Sequence, residues 1–453
     1  LKEFSSYYFL KLHQCIYYTL RMIERGSTQM SQVAMKEENM SNNTKKPLIP
    51  YWWKIVIAFT LGWMFMNVDK YFLNPLLDHI GLSYELNNTQ LGLVNSMFFF
   101  TYTMAQIPAG LLGDKIGKKL ILVVGYILMG IFTGASGIMA GFTGFLVARA
   151  FAGLFSATYY GPQFALAAEA IPSNRRAIGS AIINSGSALG VSLAFIVSST
   201  LVLDWGWDWR IPFYIFGVLT VLVGLFIMSV VKENRQRKPK VSVSDNVVTM
   251  EQKKNVSIIA LLKNRNLLVV FIMLFCSIYG FTVIVTWLPK YLQAERGFHG
   301  SEIGFISSLV PWASIPAALV VGYLYDKIGK KKPFVFILVP LAALSLWATV
   351  YVQSIPWMIV ALIAYGFFGK VALDPVLLAT VAENTPKESL SIAYSLYNFI
   401  GMLSSIIAPL VTGFLADQSG TMASGFYSAV IVLLIGGVVM IFVKETKKEK
   451  QSA

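Results

Sequence analysis

The chain has 453 residues, 56% of them hydrophobic and only 13% charged, with a formal net charge of +14. A water-facing protein of this length needs about 25% charged residues on its surface, so a string of soluble domains is excluded and most of the surface must face lipid. The mean hydropathy of +0.62 agrees. Cys15 and Cys276 cannot build a disulfide framework, and His13, His79 and His299 have no metal-ligand spacing, so no metal or cofactor is expected.

Residues 1–50 read as a polar N-terminal tail. Its first 34 residues begin with Leu1 and include an aromatic tract too polar to span a membrane, with no continuous apolar core or small-residue cleavage site of a signal peptide. Two expectations stand side by side: an upstream extension with Met35 or Met40 as the start, or a helix lying on the membrane surface.

Apolar stretches of about 20 residues then follow, each long enough to cross a hydrocarbon core of about 30 Å as a helix. They fall near 52–77, 90–113, 119–140, 143–170, 177–203 and 211–232, and again near 267–292, 301–325, 333–352, 356–382, 388–416 and 422–444. The only long polar interior segment is 233–256, preceding a short amphipathic stretch, and it separates six-helix regions at 51–232 and 257–444; residues 445–453 form a polar tail. The expected architecture is an all-α polytopic membrane protein of about twelve transmembrane helices in two pseudo-symmetric six-helix bundles.

Basic residues crowd one set of loops, at Lys115, Lys118 and Lys119, Arg175 and Arg176, Arg235, Arg237 and Lys238, Lys327, Lys330 and Lys331, and Lys447 and Lys448. The opposite loops hold few, chiefly Arg210, Lys290 and Arg296. By the positive-inside rule both termini and the linker are expected in the cytoplasm. The net charge is therefore mostly topological and points away from a nucleic-acid partner.

An internal repeat ties the halves together. Gly110, Asp114, Lys115, Gly117, Lys118 and Lys119 recur as Gly322, Asp326, Lys327, Gly329, Lys330 and Lys331, at a constant offset of 212 (326 − 114). A weaker echo relates Glu169 and Pro172 to Glu383 and Pro386. Glycines at such a loop allow close helix approach, and its acids can pair with cations or cap a helix, so these residues are expected to act as a conformational latch. The repeated loop resembles the signature of the major facilitator superfamily. That resemblance implies two bundles rocking about a substrate site near the bilayer midplane.

Ionisable residues inside a span are costly and are therefore functional candidates. The first span carries Asn67, Asp69, Lys70 and Tyr71; the fourth carries Arg149, within reach of Asp69; the tenth carries Lys370 and Asp374 four residues apart, on one face. Lys370 and Asp374 either neutralise each other or supply a second cation and a proton site. Tyr102, Tyr159, Tyr160, Tyr279, Trp287, Tyr394 and Tyr397 are candidate cavity aromatics, each with packing as its alternative.

Within the superfamily, several features resemble the anion:cation symporters, carriers of sugar acids and organic anions. They are Asp69 with Lys70, Tyr102 before Gln106 and Pro108, Arg149 with Gly153, Asn184 with Ser185, the stretch from Trp287 to Tyr291, and Asn398. The chain departs from that pattern at Lys70, where arginine is usual, at Ser156, where many members carry a proton-coupling glutamate, and at Ser187, where some carry a substrate-binding glutamine. Lys70 replaces a bidentate fork with a point charge, and Ser156 leaves Asp69 or Asp374 to couple protons.

The resulting expectation is a monomeric, non-enzymatic secondary transporter of the plasma membrane, coupling proton entry to uptake of a small organic anion, a carboxylate or sugar acid. Lys70, Tyr71, Tyr102, Tyr160, Ser187, Tyr279, Lys370 and Asn398 would bind substrate, and Asp69, Asp374 and Arg149 would handle the proton. The alternatives are an organic-phosphate/phosphate exchanger, a drug-efflux carrier and a non-transporting membrane sensor.

Overall fold

The computed structural model describes residues 50–172, 175–233, 258–386 and 389–444. The expected tail, most of the linker and the C-terminal segment lie outside the described residues. Leu1–Tyr51 forms one unit, described only at its last two residues, and Trp52–Ala453 forms the second, which holds the helices and contacts that follow.

The helices are α1 (Tyr51–Tyr71), α2 (Leu77–Tyr84), α3 (Asn88–Ile116), α4 (Lys118–Ile138), α5 (Phe142–Ala170), α6 (Arg176–Ser199) and α7 (Ile211–Val230), then α8 (Ile258–Lys263), α9 (Arg265–Arg296), α10 (Ser301–Ile328), α11 (Lys331–Tyr351), α12 (Ile355–Phe368), α13 (Lys370–Glu383), α14 (Leu390–Ser419) and α15 (Ala423–Val439). Among the described residues there is no strand. Local chemistry sets several ends. Asn87 and Gln90 form a reciprocal capping box at the start of α3, and Asn264 accepts from Asn266 and Leu267 at the start of α9. Gly297, Gly329 and Gly420 end α9, α10 and α14 in the left-handed conformation.

Two of the expected spans differ in detail. The first ends at Tyr71, six residues short of the expectation, and the chain passes through a 3-10 turn at Asn74–Leu76 into α2. Pro75 inside that turn removes a backbone donor and favours the break. The tenth span is divided at Gly369 into α12 and α13, because Gly369 leaves helical geometry at φ −78° and ψ −150°.

Among the described residues, nine helical segments are long and apolar enough to cross a membrane unaided. The other three long helices of the bundle are α1, α3 and α5. Their lower apolarity comes from polar side chains turned inward: Asn67, Asp69 and Lys70 on α1, Asn95 and Thr103 on α3, and Arg149, Ser156 and Gln163 on α5 are all buried. α1, α3 and α5 thus supply most of the polar interior of the first half, joined by Thr133 of α4.

Small residues let helices meet backbone to backbone, as packing in lipid favours. A Cβ at Gly92 on α3 would overlap the Pro409 carbonyl oxygen on α14, and one at Gly304 on α10 would overlap the Phe195 carbonyl oxygen on α6. These crossings join the two halves, and their glycines are 212 residues apart (304 − 92). Within the halves, Gly153 meets Phe98 and Gly366 meets Val310 in the same way, at an offset of 213 (366 − 153). The sequence repeat is therefore a repeat of helix crossings.

Candidate functional site

Neighbouring residues on a helix point about 100° apart, and the last turn of α1 uses this to separate Asp69 from Lys70. Asp69 turns into the first bundle. There Arg149 on α5 meets its carboxylate at 3.2 Å and donates to its backbone oxygen at 2.9 Å, while the Thr133 hydroxyl on α4 donates to the same carboxylate oxygen. Both charged side chains are 0% exposed. The Asp69 Oδ2 and Arg149 Nε atoms have no hydrogen-bond partner among the described residues. The Arg149 guanidinium also lies 4.7 Å from the Phe98 ring centre.

Lys70 points elsewhere. It is 5% exposed, and its ammonium sits 4.3 Å from the Tyr102 ring centre on α3 and 5.7 Å from that of Trp63, two turns back on α1. Among the described residues it makes no ion pair or hydrogen bond, so the ring faces are its only defined partners. A desolvated contact of this kind is worth about 2 kcal/mol, less than the cost of burying an unpaired ammonium.

Beside these rings lies a cavity of about 720 Å³ between α3 and α5 of the first half and α14 of the second. Tyr160, Gln106 and Asn398 stand on its wall, which extends to Lys118 at the latch-loop end. The Asn398 amide donates to Gln106 Oε1 at 2.8 Å, a polar bridge between the halves. Trp63 packs against Tyr160 with ring centres 5.7 Å apart, linking the cavity wall to the rings around Lys70.

On the second half, Lys370 opens α13 and pairs with Asp374 at 2.5 Å, with the two side chains 25% and 24% exposed. The Tyr397 hydroxyl approaches the other Asp374 oxygen at 3.5 Å.

The end of the bundle opposite the latch loops is closed by matched contacts. Asp417 at the end of α14 accepts from the backbone N–H groups of Asn88 and Thr89 at 3.0 and 2.8 Å, and Asp204, just past α6, accepts from Ser301 N–H at 3.0 Å. Lys290 pairs with Asp78, and Asn74 donates to the Val285 carbonyl at 2.9 Å. Each of these contacts crosses between the halves.

Of the expected latch residues, Lys118 makes an ion pair within its own half, and Lys331, next to the expected Lys330, does the same in the other. Lys118 pairs with Glu169 at 2.7 Å, and Lys331 with Glu383 at 2.5 Å. Gly117 adopts φ +116° between α3 and α4, and Gly329 φ +66° between α10 and α11, backbone geometries that favour glycine. Gly110 and Gly322 lie on α3 and α10. Lys115, Asp326, Lys327 and Lys330 are exposed, and the Asp114 side chain lies outside the described residues.

Of the expected substrate residues, Lys70, Tyr71, Tyr102, Tyr160 and Asn398 gather at or behind the cavity, with Tyr71 packed beside Phe99. Tyr279 does not join them: its hydroxyl meets Ser428 at 3.3 Å inside the second half. Ser187 is half-buried on α6, outside the cavity wall. Tyr159 and Trp287 are packing residues, donating to the Phe59 and Pro409 carbonyls. Ser156 donates to the Ala152 carbonyl of its own helix. Sequence reasoning missed Trp63, Thr133 and the clamps at Asp204 and Asp417. The clamps carried a signal, since these acids repeat at an offset of 213 (417 − 204).

Two repeat-related helical bundles around a cavity lined from both halves define a membrane transporter. A sequence profile of the Major Facilitator Superfamily matches residues 57–301 and 270–453, and the chain belongs to that superfamily. It is 24% identical to the probable galactarate/D-glucarate transporter of Bacillus subtilis (strain 168), over 88% of this chain and 94% of that one. It is also 24% identical to the cis,cis-muconate transport protein of Acinetobacter baylyi, over 91% and 100%, and 23% identical to the hexuronate transporter of Bacillus subtilis, over 85% and 91%. In fold it is similar to a bacterial homologue of the human lysosomal transporter Spinster, solved in an inward-facing and occupied conformation. The TM-score is 0.72 at 15% identity, covering 87% of this chain and 97% of that one.

Proposed function

We propose that the chain is a proton-coupled symporter of a small organic anion, a carboxylate or sugar acid, working by alternating access in the plasma membrane as a monomer. The observation that carries this reading is Lys70: a buried side chain that makes no direct ion pair or hydrogen bond among the described residues, held under Tyr102 and Trp63 beside the cavity. In a low-dielectric site such a charge attracts an anion far more strongly than it would in water. The relatives' names, which concern galactarate, muconate and hexuronate, support the same substrate class.

With the basic loops in the cytoplasm, the clamped end faces outward and the cavity faces inward. Substrate would be released toward Lys118. Return to the outward state requires the clamps at Asp204 and Asp417 to part and the latch loops to engage. Asp69 is the proposed proton carrier, with one unpartnered carboxylate oxygen and Lys70 as its chain neighbour; Asp374 is the second acid available, and Arg149 holds Asp69 in position. Lys70, Tyr71, Tyr102, Tyr160 and Asn398 form the proposed binding group, with Lys370 contributing through Asp374.

The test is uptake of labelled organic anions by liposomes containing the purified protein, with and without an imposed pH gradient. Gradient-driven uptake that is lost in Lys70→Ala and uncoupled from pH in Asp69→Asn is expected. Unimpaired, gradient-driven uptake in both variants sinks the assignment.

A further inference from the structure

Asp78 and Lys290 form an ion pair across the two halves, and they are also each other's counterparts in the internal repeat, 212 residues apart (290 − 78). The same offset relates Gly92 to Gly304 and Asp114 to Asp326. Two positions that a two-fold operation exchanges can touch only beside its axis. In this superfamily that axis runs along the membrane normal between the halves, so the pair stands at the centre of the clamped end. The hydrogen bond from Asn74 to the Val285 carbonyl, at 2.9 Å, joins the same two segments. Asp78 lies eight residues beyond Lys70 (78 − 70), on the order of 12 Å of helical rise nearer the outer surface.

The two halves agree in position here and differ in charge, so the mouth of the path holds one ammonium. Besides the buried Lys70 and Arg149, the lysines and arginines toward this end are Arg210, Lys290 and Arg296. Arg210 is held in its own half, by Asp208 at 3.7 Å and over the Trp209 ring at 4.4 Å. Arg296 is likewise held in its own half. It donates to the Tyr291 hydroxyl, to Gln353 Oε1 and to the carbonyls of Thr349, Val350 and Val352. The partner of Lys290 belongs to the other half, so parting of the halves frees this cation. The same end carries more acids than bases, with Glu85, Asp208, Glu295 and Glu302 besides the clamp acids. An arriving anion therefore has one released cation to meet there.

We infer that Lys290 is an entry site for the anionic substrate: when the clamped end opens, it exchanges the Asp78 carboxylate for a carboxylate of the ligand. This rests on the proposed reading of the chain as an organic-anion carrier with this end outward, and adds a contact made before the ligand reaches Lys70. An ammonium seated against one carboxylate can take another in a charge-assisted hydrogen bond, from a single or a double acid alike. Asp78 competes for the same ammonium, so closing of the end displaces the ligand inward. Lys118, paired with Glu169 at 2.7 Å on the cavity wall, stands at the opposite end of the path.

The experiment compares two variants that break the same ion pair. Lys290→Gln removes the cation, whereas Asp78→Asn removes only the anion that competes for it. Loss of the pair biases opening alike in both, so the difference between them reports the cation. Initial uptake of labelled glucarate, muconate and glucuronate is measured at about pH 7.5, where ordinary carboxylic acids are ionised. Right-side-out vesicles present the ligand to the outer face, and inside-out vesicles present it to the cytoplasmic face. From the outer face, kcat/KM is expected to fall about tenfold in Lys290→Gln, the low end for a charge at the mouth of a cleft, and to stay at or above wild type in Asp78→Asn. The gap should narrow from about 10 mM to about 0.1 M salt, as the Debye length shortens from about 30 Å to about 10 Å. Lys290→Arg should recover most of the loss. From the cytoplasmic face Lys290→Gln should change kcat/KM much less, because that ligand meets Lys118 and the cavity first.

Equal effects of the two variants in an active protein overturn the entry site and leave the pair as a lock, with the organic-anion reading intact. A Lys290→Gln defect of the same size from both faces does the same. So does a tenfold fall in Asp78→Asn, which keeps the inference open to refutation even where Lys290→Gln does not fold. Wild-type vesicles that take up none of the three acids overturn the organic-anion reading, and the entry site with it.

Discussion

Asp204 and Asp417 occupy equivalent places in the two halves, and each carboxylate accepts backbone N–H groups at the first turn of a helix in the other half. Asp204 reaches Ser301 at the start of α10, and Asp417 reaches Asn88 and Thr89 at the start of α3. A carboxylate at a helix N-terminus satisfies donors that the helix leaves unpaired and lies favourably in its dipole. Two such clamps, related by the repeat, hold one end of the bundle shut.

Removing either clamp should therefore favour the alternate state. Asp204→Ala and Asp417→Ala should each cost the closed end about 1–2 kcal/mol, the usual worth of a helix cap, and the double variant should show both losses. Spin labels at Leu82 and Gln353, exposed positions of the two halves near that end, would report the change as a growing population of longer distances. An unchanged distance distribution in the double variant refutes the clamp role.

The Asp69–Arg149 pair makes a different demand, because it is fully buried. Arg149→Ala should leave an uncompensated carboxylate and lower stability by about 3–5 kcal/mol. The double variant Asp69→Asn with Arg149→Gln should recover much of that loss, since no bare charge remains. Thermal unfolding in detergent measures both. A double variant less stable than Arg149→Ala alone would contradict the account.

Tyr102 is expected to act through its ring. Tyr102→Phe keeps the aromatic face beneath Lys70 and should bind anion within about threefold of wild type. Tyr102→Leu removes that face and should weaken binding by about tenfold, in keeping with a partly desolvated cation–π contact. The reverse order, with phenylalanine the more damaging change, would move the functional role to the phenol hydroxyl.

Gly92 and Gly304 mark the two crossings between the halves, where a Cβ would overlap a carbonyl oxygen. Gly92→Val and Gly304→Val should force α3 from α14 and α10 from α6, and so disfavour the closed end seen here. Because neither residue touches the cavity wall, the expected kinetic signature is a fall in transport rate with substrate affinity changed much less. Equal loss of affinity and rate would indicate damage to the site instead.

Much of this architecture was legible in the chain. Apolar run length dictates spanning helices, because a backbone in lipid must satisfy its own hydrogen bonds. Repetition of Asp114 as Asp326 disclosed two equivalent halves. Asp69, Lys70, Arg149, Lys370 and Asp374 were identifiable because an ionisable group in a span is too costly to persist without a role or a partner.

Two pairings were legible as well, Arg149 with Asp69 and Lys370 with Asp374; the remaining partners were decided only by the tertiary structure. Adjacent positions 69 and 70 diverge by about 100° on a helix, but which neighbour each meets depends on how α3, α4 and α5 pack around α1. That packing gave Asp69 a second partner in Thr133, left Lys70 under Tyr102, and turned Tyr279 to Ser428, away from the cavity. It also brought Asp204 and Asp417 to helix ends roughly a hundred and three hundred residues away in the chain, contacts that carry no local signature. Helical periodicity and the price of burying charge are written into the sequence; the pairing of those charges depends on distances across the fold.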